Sequence, residues 1–331
     1  MNDLEFRSAR PSGSREPTVP EADARSSRGS EAWQVAGRRL RAAALLGAAL
    51  VLPVGADGAF AIDINSADYV PAPAGANLLL FYSQYATRSE FVNTSGTTIS
   101  QNTSLDSYVD ILRYVHYFDV AGFRVAAQTL VPVGTLYNGR VSGTNLDSAA
   151  GFADPIFSGV LWLINNKESE SYVAVAPYLY APLGQYDSSQ ALNMGENRWK
   201  LDLQGAWYQG FGNGIALQIA GDVIWYGSND EAGGGYQTLT QDNTYQFQAW
   251  LSYAFAPTWS AAVGYSGFWG GTEYLSGIPT GNATQRDQLR FELSKFITPT
   301  FQVLGLVQRD FNTSGGFPED FRGTLRLLQV F

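Results

Sequence analysis

The stretch NRWKLDLQGAWY, residues 197–208, alternates between apolar and polar side chains. Its apolar positions are Trp199, Leu201, Leu203 and Trp207, and its polar positions are Arg198, Lys200, Asp202 and Gln204. A repeat of two residues predicts a β-strand with one apolar face and one polar face. A soluble sheet would bury the apolar face in a core, whereas a membrane barrel would turn it toward lipid and line a wet lumen with the charges.

Segments of this kind recur along the whole chain after residue 76. We recognise twelve of them, with the approximate spans 77–87, 105–117, 120–132, 152–164, 171–183, 197–208, 214–226, 243–255, 259–269, 285–296, 300–310 and 321–331. No segment carries an apolar stripe with the period of a helix, so the sequence predicts an all-β protein.

The gaps between the segments alternate between short and long. The short gaps are 118–119, 165–170, 209–213, 256–258 and 297–299, and the long gaps are 88–104, 133–151, 184–196, 227–242, 270–284 and 311–320. Outer-membrane barrels combine short periplasmic turns with long outside loops, and an even number of strands leaves both termini in the periplasm. We therefore predict a transmembrane antiparallel up-and-down β-barrel of about 12 strands, of the outer-membrane type, over residues 77–331.

Large aromatic residues fall near both ends of the predicted strands. Trp199, Trp225 and Trp269 belong to the upper rim, and Trp207, Tyr253, Phe255 and Trp259 belong to the lower rim. Aromatic girdles at the two membrane interfaces are typical of such barrels, and a soluble sandwich would not place large rings outward on nearly every strand. The C-terminal Phe331 resembles the signal that the barrel assembly machinery reads on its clients.

The N-terminal region carries the pattern of an export signal. Three arginines between residues 38 and 41 precede the apolar stretch 42–54, and Ala59-Phe60-Ala61 matches a cleavage site. We therefore expect a signal peptide at 37–61, a disordered extension with a mis-assigned start at 1–36, and a periplasmic segment or small plug at 62–76. Export of a barrel predicts that the protein lies in the bacterial outer membrane.

The composition limits the chemistry that is open to the chain. It contains no cysteine and one histidine, which excludes thiol catalysis, disulfides and the usual zinc sites. After residue 61, acidic side chains outnumber basic ones by 23 to 13, so no nucleic-acid partner is expected. We expect no metal and no cofactor, and we expect outer-membrane lipid and lipopolysaccharide as the surroundings.

Charged residues on the polar faces of the predicted strands are the candidate lumen lining. They are Arg124, Arg198, Lys200, Asp202, Asp222, Arg290, Glu292 and Arg326. Because both signs occur, these side chains either line a narrow solute path or pair with one another and fill the interior. Small barrels are filled by side chains and large porins are open, and a barrel of this size lies between them.

The segment SYVDILRYVHY, residues 107–117, does not fit this division into faces. Asp110 and His116 share the face that is expected to line the lumen, so Arg113 falls on the lipid face with Val109 and Val115. An arginine in that position costs about 2–4 kcal/mol near the middle of the membrane. Either a bulge in the strand or snorkelling of the side chain to the lower rim would remove the cost.

Motifs around residues 151–201 resemble those of one known family. Gly151 and Asp154 form Gly-x-x-Asp, Pro182, Gly184 and Tyr186 form Pro-x-Gly-x-Tyr, and Asn193, Gly195, Asn197, Arg198 and Trp199 form Asn-x-Gly-x-Asn-Arg-Trp. Together with the opening 68–85, they resemble the outer-membrane meta-pathway phenol degradation protein family, which consists of barrels regarded as transporters. The resemblance covers nearly all of 62–331 and implies a monomeric barrel with Arg198 at the mouth of the lumen.

Three functions are compatible with the sequence. The resemblance implies a channel, not an enzyme, for passive uptake of small hydrophobic or aromatic compounds that feed a degradation pathway. A lipid-acting envelope enzyme is the first alternative, and it requires a serine on a strand next to His116, because His116 has none two residues away. A structural or adhesive barrel is the second alternative, and it predicts a filled lumen with function confined to the long loops.

Overall fold

The computed structural model describes residues 54–55 and 63–331. The predicted extension at 1–36 lies outside the described residues, as does the predicted signal peptide at 37–61 apart from Val54–Gly55. Within the described residues, no helix has the length and the apolar character that are needed to cross a bilayer.

Twelve strands form one closed antiparallel barrel, as the sequence predicts. They are β1 (Asn77–Arg88), β2 (Ser104–Val120), β3 (Phe123–Val141), β4 (Ile156–Asn166), β5 (Ser171–Tyr180), β6 (Lys200–Gly210), β7 (Ile215–Tyr226), β8 (Thr244–Ala256), β9 (Trp259–Gly270), β10 (Gln285–Thr298), β11 (Phe301–Ser314) and β12 (Phe321–Val330). Each strand pairs with its neighbours in sequence, and β1 also pairs with β12, which closes the barrel. Closure leaves no unpaired sheet edge, as a barrel in lipid requires.

Several strand boundaries differ from the sequence-based spans. The turn predicted at 118–119 lies instead at Ala121 and Gly122, which both adopt a positive φ, and β3 extends to Val141 instead of residue 132. Strand β6 begins at Lys200 instead of residue 197, because Asn197 adopts a positive φ of 53° and breaks the extended chain. The segment predicted at 152–164 divides into Ala149–Phe152 and β4, and Pro155, which cannot donate to a strand ladder, lies between them.

The two ends of the barrel differ in structure. At one end, called the short-turn end, brief connections such as Ala121–Gly122 join the strands, and β1 begins and β12 ends there. At the other end, called the long-loop end, the connections contain further elements. These are Phe91–Val92, Thr98–Ile99, Thr144–Asn145, Leu192–Asn193, Asn229–Glu231, the helix Ala232–Gly235, Gln237–Gln241, Glu273–Leu275 and Ile278–Pro279.

Side chains of β6 show which face of the wall meets which environment. Leu201 and Leu203 are 42% and 47% exposed, whereas Asp202 and Gln204 are fully buried. The apolar side chains therefore point out of the barrel and the polar side chains point into it. This arrangement is the inverse of a soluble sheet, and it matches a barrel whose outer band contacts lipid.

Strand β2 corrects the sequence-based assignment of its two faces. Tyr108, Leu112 and Tyr114 are exposed outside, so Arg113 points into the lumen, and Asp110 and His116 lie on the outer face. The register of β2 shifts only between Ser104 and Asp106, so no bulge reverses the faces near the arginine. The expectation of a lipid-facing Arg113 was therefore wrong.

A hydrophobic cluster inside the barrel explains the error. On β2, the inward positions Val115 and Tyr117 pack with Tyr69, Leu80 and Trp162. The inward face of this strand is thus apolar where it meets the chain that precedes β1. Alternation alone cannot assign the faces of a strand when both sides carry apolar residues.

Candidate functional site

Residues 63–70, called the lumen segment, lie inside the barrel and are held there by side chains of the wall. The carbonyl oxygen of Ile64 accepts a hydrogen bond of 3.0 Å from the indole Nε1 of Trp250 on β8. The N–H of Ile64 donates to the Oε1 of Gln248 on the same strand at 3.1 Å. A buried backbone needs partners for its polar groups, and here inward side chains supply them.

The second half of the lumen segment is held from other strands. Gln218 on β7 accepts from the N–H of Tyr69 at 3.2 Å and donates to the carbonyl oxygen of Asn65 at 2.9 Å. Trp162 on β4 donates its indole N–H to the carbonyl oxygen of Tyr69 at 2.9 Å. Residues far apart in sequence therefore fix a single short stretch of backbone.

Charged groups also connect the lumen segment to the wall. The carboxylate of Asp68 lies 3.3 Å from a guanidinium nitrogen of Arg113 on β2 and 3.1 Å from one of Arg326 on β12. Asn65 accepts from Arg326 at 3.1 Å and donates to the carboxylate of Glu292 at 3.2 Å. Removing one partner of a buried ion pair is strongly destabilising, because the other charge is then left buried without a partner.

The eight candidate lumen residues lie at three heights along the barrel, namely its middle, its long-loop end and its short-turn end. Buried beside the lumen segment are Arg290, Glu292 and Arg326, and buried on β6 and β7 are Asp202 and Asp222. Arg198 and Lys200 lie at the long-loop end, where both contact Glu196. Arg124 lies at the short-turn end and pairs with Asp119 at 2.6 Å. These residues therefore follow the length of the lumen and do not form one cluster.

Inward aromatic rings are a feature that the sequence analysis missed. Arg290 stacks over Trp250 at 4.7 Å, Lys200 over Tyr180 at 4.4 Å, and Arg198 over Tyr226 at 4.8 Å. Such cation–π contacts are favourable where water is scarce. The signal was present in the sequence, since Trp250 has the same parity on β8 as Gln246 and Gln248.

A cavity of about 390 Å³ opens below the lumen segment, toward the short-turn end. Its walls are mostly apolar and include Leu78, Leu80, Leu328 and Val330. Asp68, Arg113 and Arg326 border it from the side of the lumen segment. The lumen is thus filled at its middle and hollow at one end.

Glu196 fastens the loop that precedes β6 at the long-loop end. Its carboxylate contacts the guanidinium of Arg198 at 2.7 Å and the ammonium of Lys200. Burial alone would raise the pKa of Glu196, but Lys200 and Arg198 outweigh it and bring the pKa of this carboxyl to about 2. The carboxyl therefore stays ionised in acid where an ordinary glutamate is protonated.

We expect the stability of the wild-type barrel to fall in acid by an amount that Glu196→Gln lacks. The pKa of Glu196 is lowered by folding from 4.5 to about 2, so its contribution is complete above about pH 4.5 and is lost as the pH falls through 2. The contribution is up to about 3 kcal/mol. Urea unfolding of both proteins in detergent between pH 6 and pH 2 would measure it, and parallel pH profiles would contradict the assignment.

Several residues of the family motif hold one loop together at the long-loop end. Asp154 accepts hydrogen bonds from the N–H groups of Gly184 and Glu196, each at 2.9 Å. A Cβ on Gly195 would lie 2.8 Å from the backbone of Gly184, and a Cβ on Gly184 would lie 2.7 Å from the backbone of Ala153. Both positions therefore need glycine for these segments to pack this closely. The loop residue Asn193 accepts from the N–H of Asp187 at 2.7 Å.

The remaining motif residues lie around this loop. A Cβ on Gly151 would overlap the side chain of Gln185, and Asn197 donates to Asn229 at 3.1 Å. The Tyr186 hydroxyl donates to the carbonyl oxygen of Glu231, Pro182 lies in the same loop, and Trp199 is exposed. Only Arg198 among them belongs to both the motif and the candidate lumen residues.

The surroundings of His116 do not resemble a hydrolytic site. Its Nδ1 lies 2.8 Å from the Oδ1 of Asn77, its ring stacks on Phe118, and its cross-strand partners are Asn77 and Ala127. A nucleophilic serine is therefore not its partner on either adjacent strand. Among the described residues, no group of three or more His, Asp or Glu side chains is arranged to hold a metal ion.

The chain matches a known protein family and resembles a solved outer-membrane structure. The family model described as "Putative MetA-pathway of phenol degradation" matches residues 88–327. The COG4313 outer membrane channel from Pseudomonas putida F1 is 31% identical, covers 81% of this chain and 100% of its own, and has a TM-score of 0.77.

Two porin structures share much lower identity with the chain. The NanC porin is 10% identical over 76% of this chain and 98% of its own, with a TM-score of 0.45. The KdgM porin with disordered oligogalacturonate is 8% identical over 76% of this chain and 99% of its own, with a TM-score of 0.42. Scores this low support no argument about function. No curated protein sequence matches the chain.

Proposed function

Because the chain belongs to the phenol degradation family whose model matches residues 88–327, we propose that it is an outer-membrane channel for passive uptake of small hydrophobic or aromatic compounds. The observation that carries the proposal is the shared barrel. A chain of the same fold, 31% identical over 81% of this sequence, is an outer membrane channel. The lipid-facing apolar band and the polar interior of β6 agree with that setting.

Export, membrane insertion and the solute path follow from this proposed location in the outer membrane. The chain is exported through a cleaved signal peptide at 37–61, and the barrel assembly machinery inserts it with Phe331 as part of the signal. It acts as a monomer without a cofactor. Solute passes along the inward charges and aromatic rings, and the lumen segment acts as a plug in that path.

An enzymatic function is disfavoured, and a structural function has one observation in its favour. The neighbours of His116 give it no nucleophile to activate, and the similar structure is a channel. The lumen segment, however, fills the middle of the barrel, and a permanently filled barrel would be a structural or adhesive protein. Whether the lumen segment can leave the lumen therefore distinguishes a channel from a structural or adhesive barrel.

We expect a deletion strain to grow poorly on a defined class of limiting carbon sources. The panel covers phenolics, benzoates, terpenoids, alkanes and fatty acids, with succinate as the control. A growth defect that is confined to one hydrophobic class, and that the wild-type gene restores, supports the channel. Normal growth on every source, with expression of the gene verified, would contradict uptake and favour the structural function.

A further inference from the structure

The cavity at the short-turn end combines an apolar body with two cations. Leu78, Leu80, Leu328 and Val330 supply apolar surface, and Val70 and Ala72 of the chain before β1 complete it. The volume of about 390 Å³ lies within the range of pockets for small organic ligands. Pockets of this kind bind an apolar ligand through their walls and orient it through a few polar groups.

The cationic groups of this cavity are the guanidinium groups of Arg113 and Arg326. Arg326 is 5% exposed and Arg113 is 14% exposed, and both ion-pair with the carboxylate of Asp68. Arg326 also donates to Gln302 at 2.7 Å, and its Nε, although buried, has no hydrogen-bond partner among the described residues. The site therefore already binds one carboxylate through both guanidinium groups.

Asp68 is an internal carboxylate ligand of the two guanidinium groups, and it lies on a segment that precedes the barrel strands. It belongs to the lumen segment, whereas Arg113 and Arg326 belong to strands that are fixed in the barrel wall. A carboxylate from solution can make the same charge-assisted hydrogen bonds, and guanidinium groups are well shaped for them. A neutral alcohol, phenol or amide of similar size cannot replace the charge of Asp68.

We propose that this cavity binds small hydrophobic monocarboxylates, with the carboxylate on Arg113 and Arg326 and the apolar body against the leucines. The ligand competes with Asp68 for the two guanidinium groups. Occupancy therefore removes the ion pairs that hold Asp68 of the lumen segment against the wall. This inference builds on the proposed channel and selects acids over neutral compounds as the solute class.

The test is calorimetric titration of the purified protein in detergent at pH 7. The probes are benzoate and octanoate, each compared with its neutral amide, benzamide or octanamide. We expect each acid to bind at least about tenfold more tightly than its amide, because charge-assisted hydrogen bonds distinguish them. Equal affinities for acid and amide would overturn the proposal.

Variants distinguish specific binding in the cavity from partition of the probes into detergent. Arg326→Gln is expected to remove the preference for the acid, and Asp68→Asn is expected to tighten acid binding because it removes the internal competitor. Asp119→Asn, which alters a carboxylate paired with Arg124 outside the cavity, is the matched control and should bind like wild type. If Asp68→Asn fails to fold, Arg113→Gln replaces it, and an unchanged preference in both arginine variants would refute the site.

The outcome is independent of the growth experiment. Acid binding without any uptake defect would retain the site and reject the channel. An uptake defect for neutral compounds, with no acid preference in the titration, would retain the channel and reject the site.

Discussion

Deletion of residues 63–70 is expected to raise the ion conductance of the purified barrel in planar bilayers by about tenfold or more, because it removes the residues that fill the middle of a lumen intermediate in size between filled small barrels and open porins. In the structure, this segment receives hydrogen bonds from Trp162, Trp250 and Gln218 across the interior. Its removal leaves the closed wall intact, since all twelve strands lie after residue 76. The conductance of single channels measures the opened cross-section directly.

The control for this deletion is a barrel that keeps the segment but loses one of its charges. Asp68→Asn removes the negative charge that pairs with Arg113 and Arg326. It retains an amide oxygen that can still accept the hydrogen bond that the Asp68 carboxylate receives from the N–H of Asn65. Its conductance should lie between those of the wild type and the deletion. If the deletion conducts no better than wild type, closure occurs at the long-loop end, where Leu105, Leu192 and Phe317 form a second buried cluster.

Leu203→Arg is expected to reduce the yield of folded protein in outer membranes several-fold, whereas Leu203→Phe should fold like wild type. Leu203 is 47% exposed on the outer face of β6, midway between the rim residues Trp199 and Trp207. An arginine at that depth costs about 2–4 kcal/mol, which is a large part of the stability of a typical protein. Folded and unfolded barrel can be separated by gel mobility with and without heating.

This comparison tests whether the outer face of β6 has been assigned correctly. The phenylalanine variant controls for the change of size and retains an apolar side chain toward lipid. Equal folded yields of the two variants would mean that position 203 does not meet lipid. The alternation in residues 197–208 would then have been interpreted the wrong way round.

Strand number and strand order could be predicted from the sequence because they depend on local patterns. Alternation over each strand and the lengths of the gaps are visible without any knowledge of contacts. The assignment of inward and outward faces failed at β2, where the inward side carries Val115 and Tyr117 and therefore resembles an outward side. Such a strand needs its partners to be known before its faces can be distinguished.

The lumen segment and its contacts could not be predicted in the same way. Asn65 contacts Gln218 and Glu292, which lie 153 and 227 positions further along the chain. No local pattern in residues 62–76 indicates which strands will hold them. The sequence predicts a periplasmic segment or small plug at 62–76, and the structure defines the contacts of residues 63–70. Whether the segment closes a path is the subject of the deletion experiment.

The family motif shows a third relation between sequence and structure. Asp154, Gly184 and Gly195 were recognised as a shared pattern without a physical reason for it. The structure supplies the reason, since one carboxylate joins two stretches of loop and the glycines allow their close approach. These residues position the loop before β6. Arg198 connects this loop to the mouth of the lumen through its ion pair with Glu196.

The most direct test of the central claim is the initial rate at which intact cells take up labelled phenol and labelled benzoate. The deletion strain would carry the wild-type gene, the gene without residues 63–70, or an empty vector. We expect uptake above the empty vector for the wild type and faster uptake for the truncated barrel. Rates equal to the empty vector for both proteins, with both folded in the outer membrane, would contradict a solute path through the lumen.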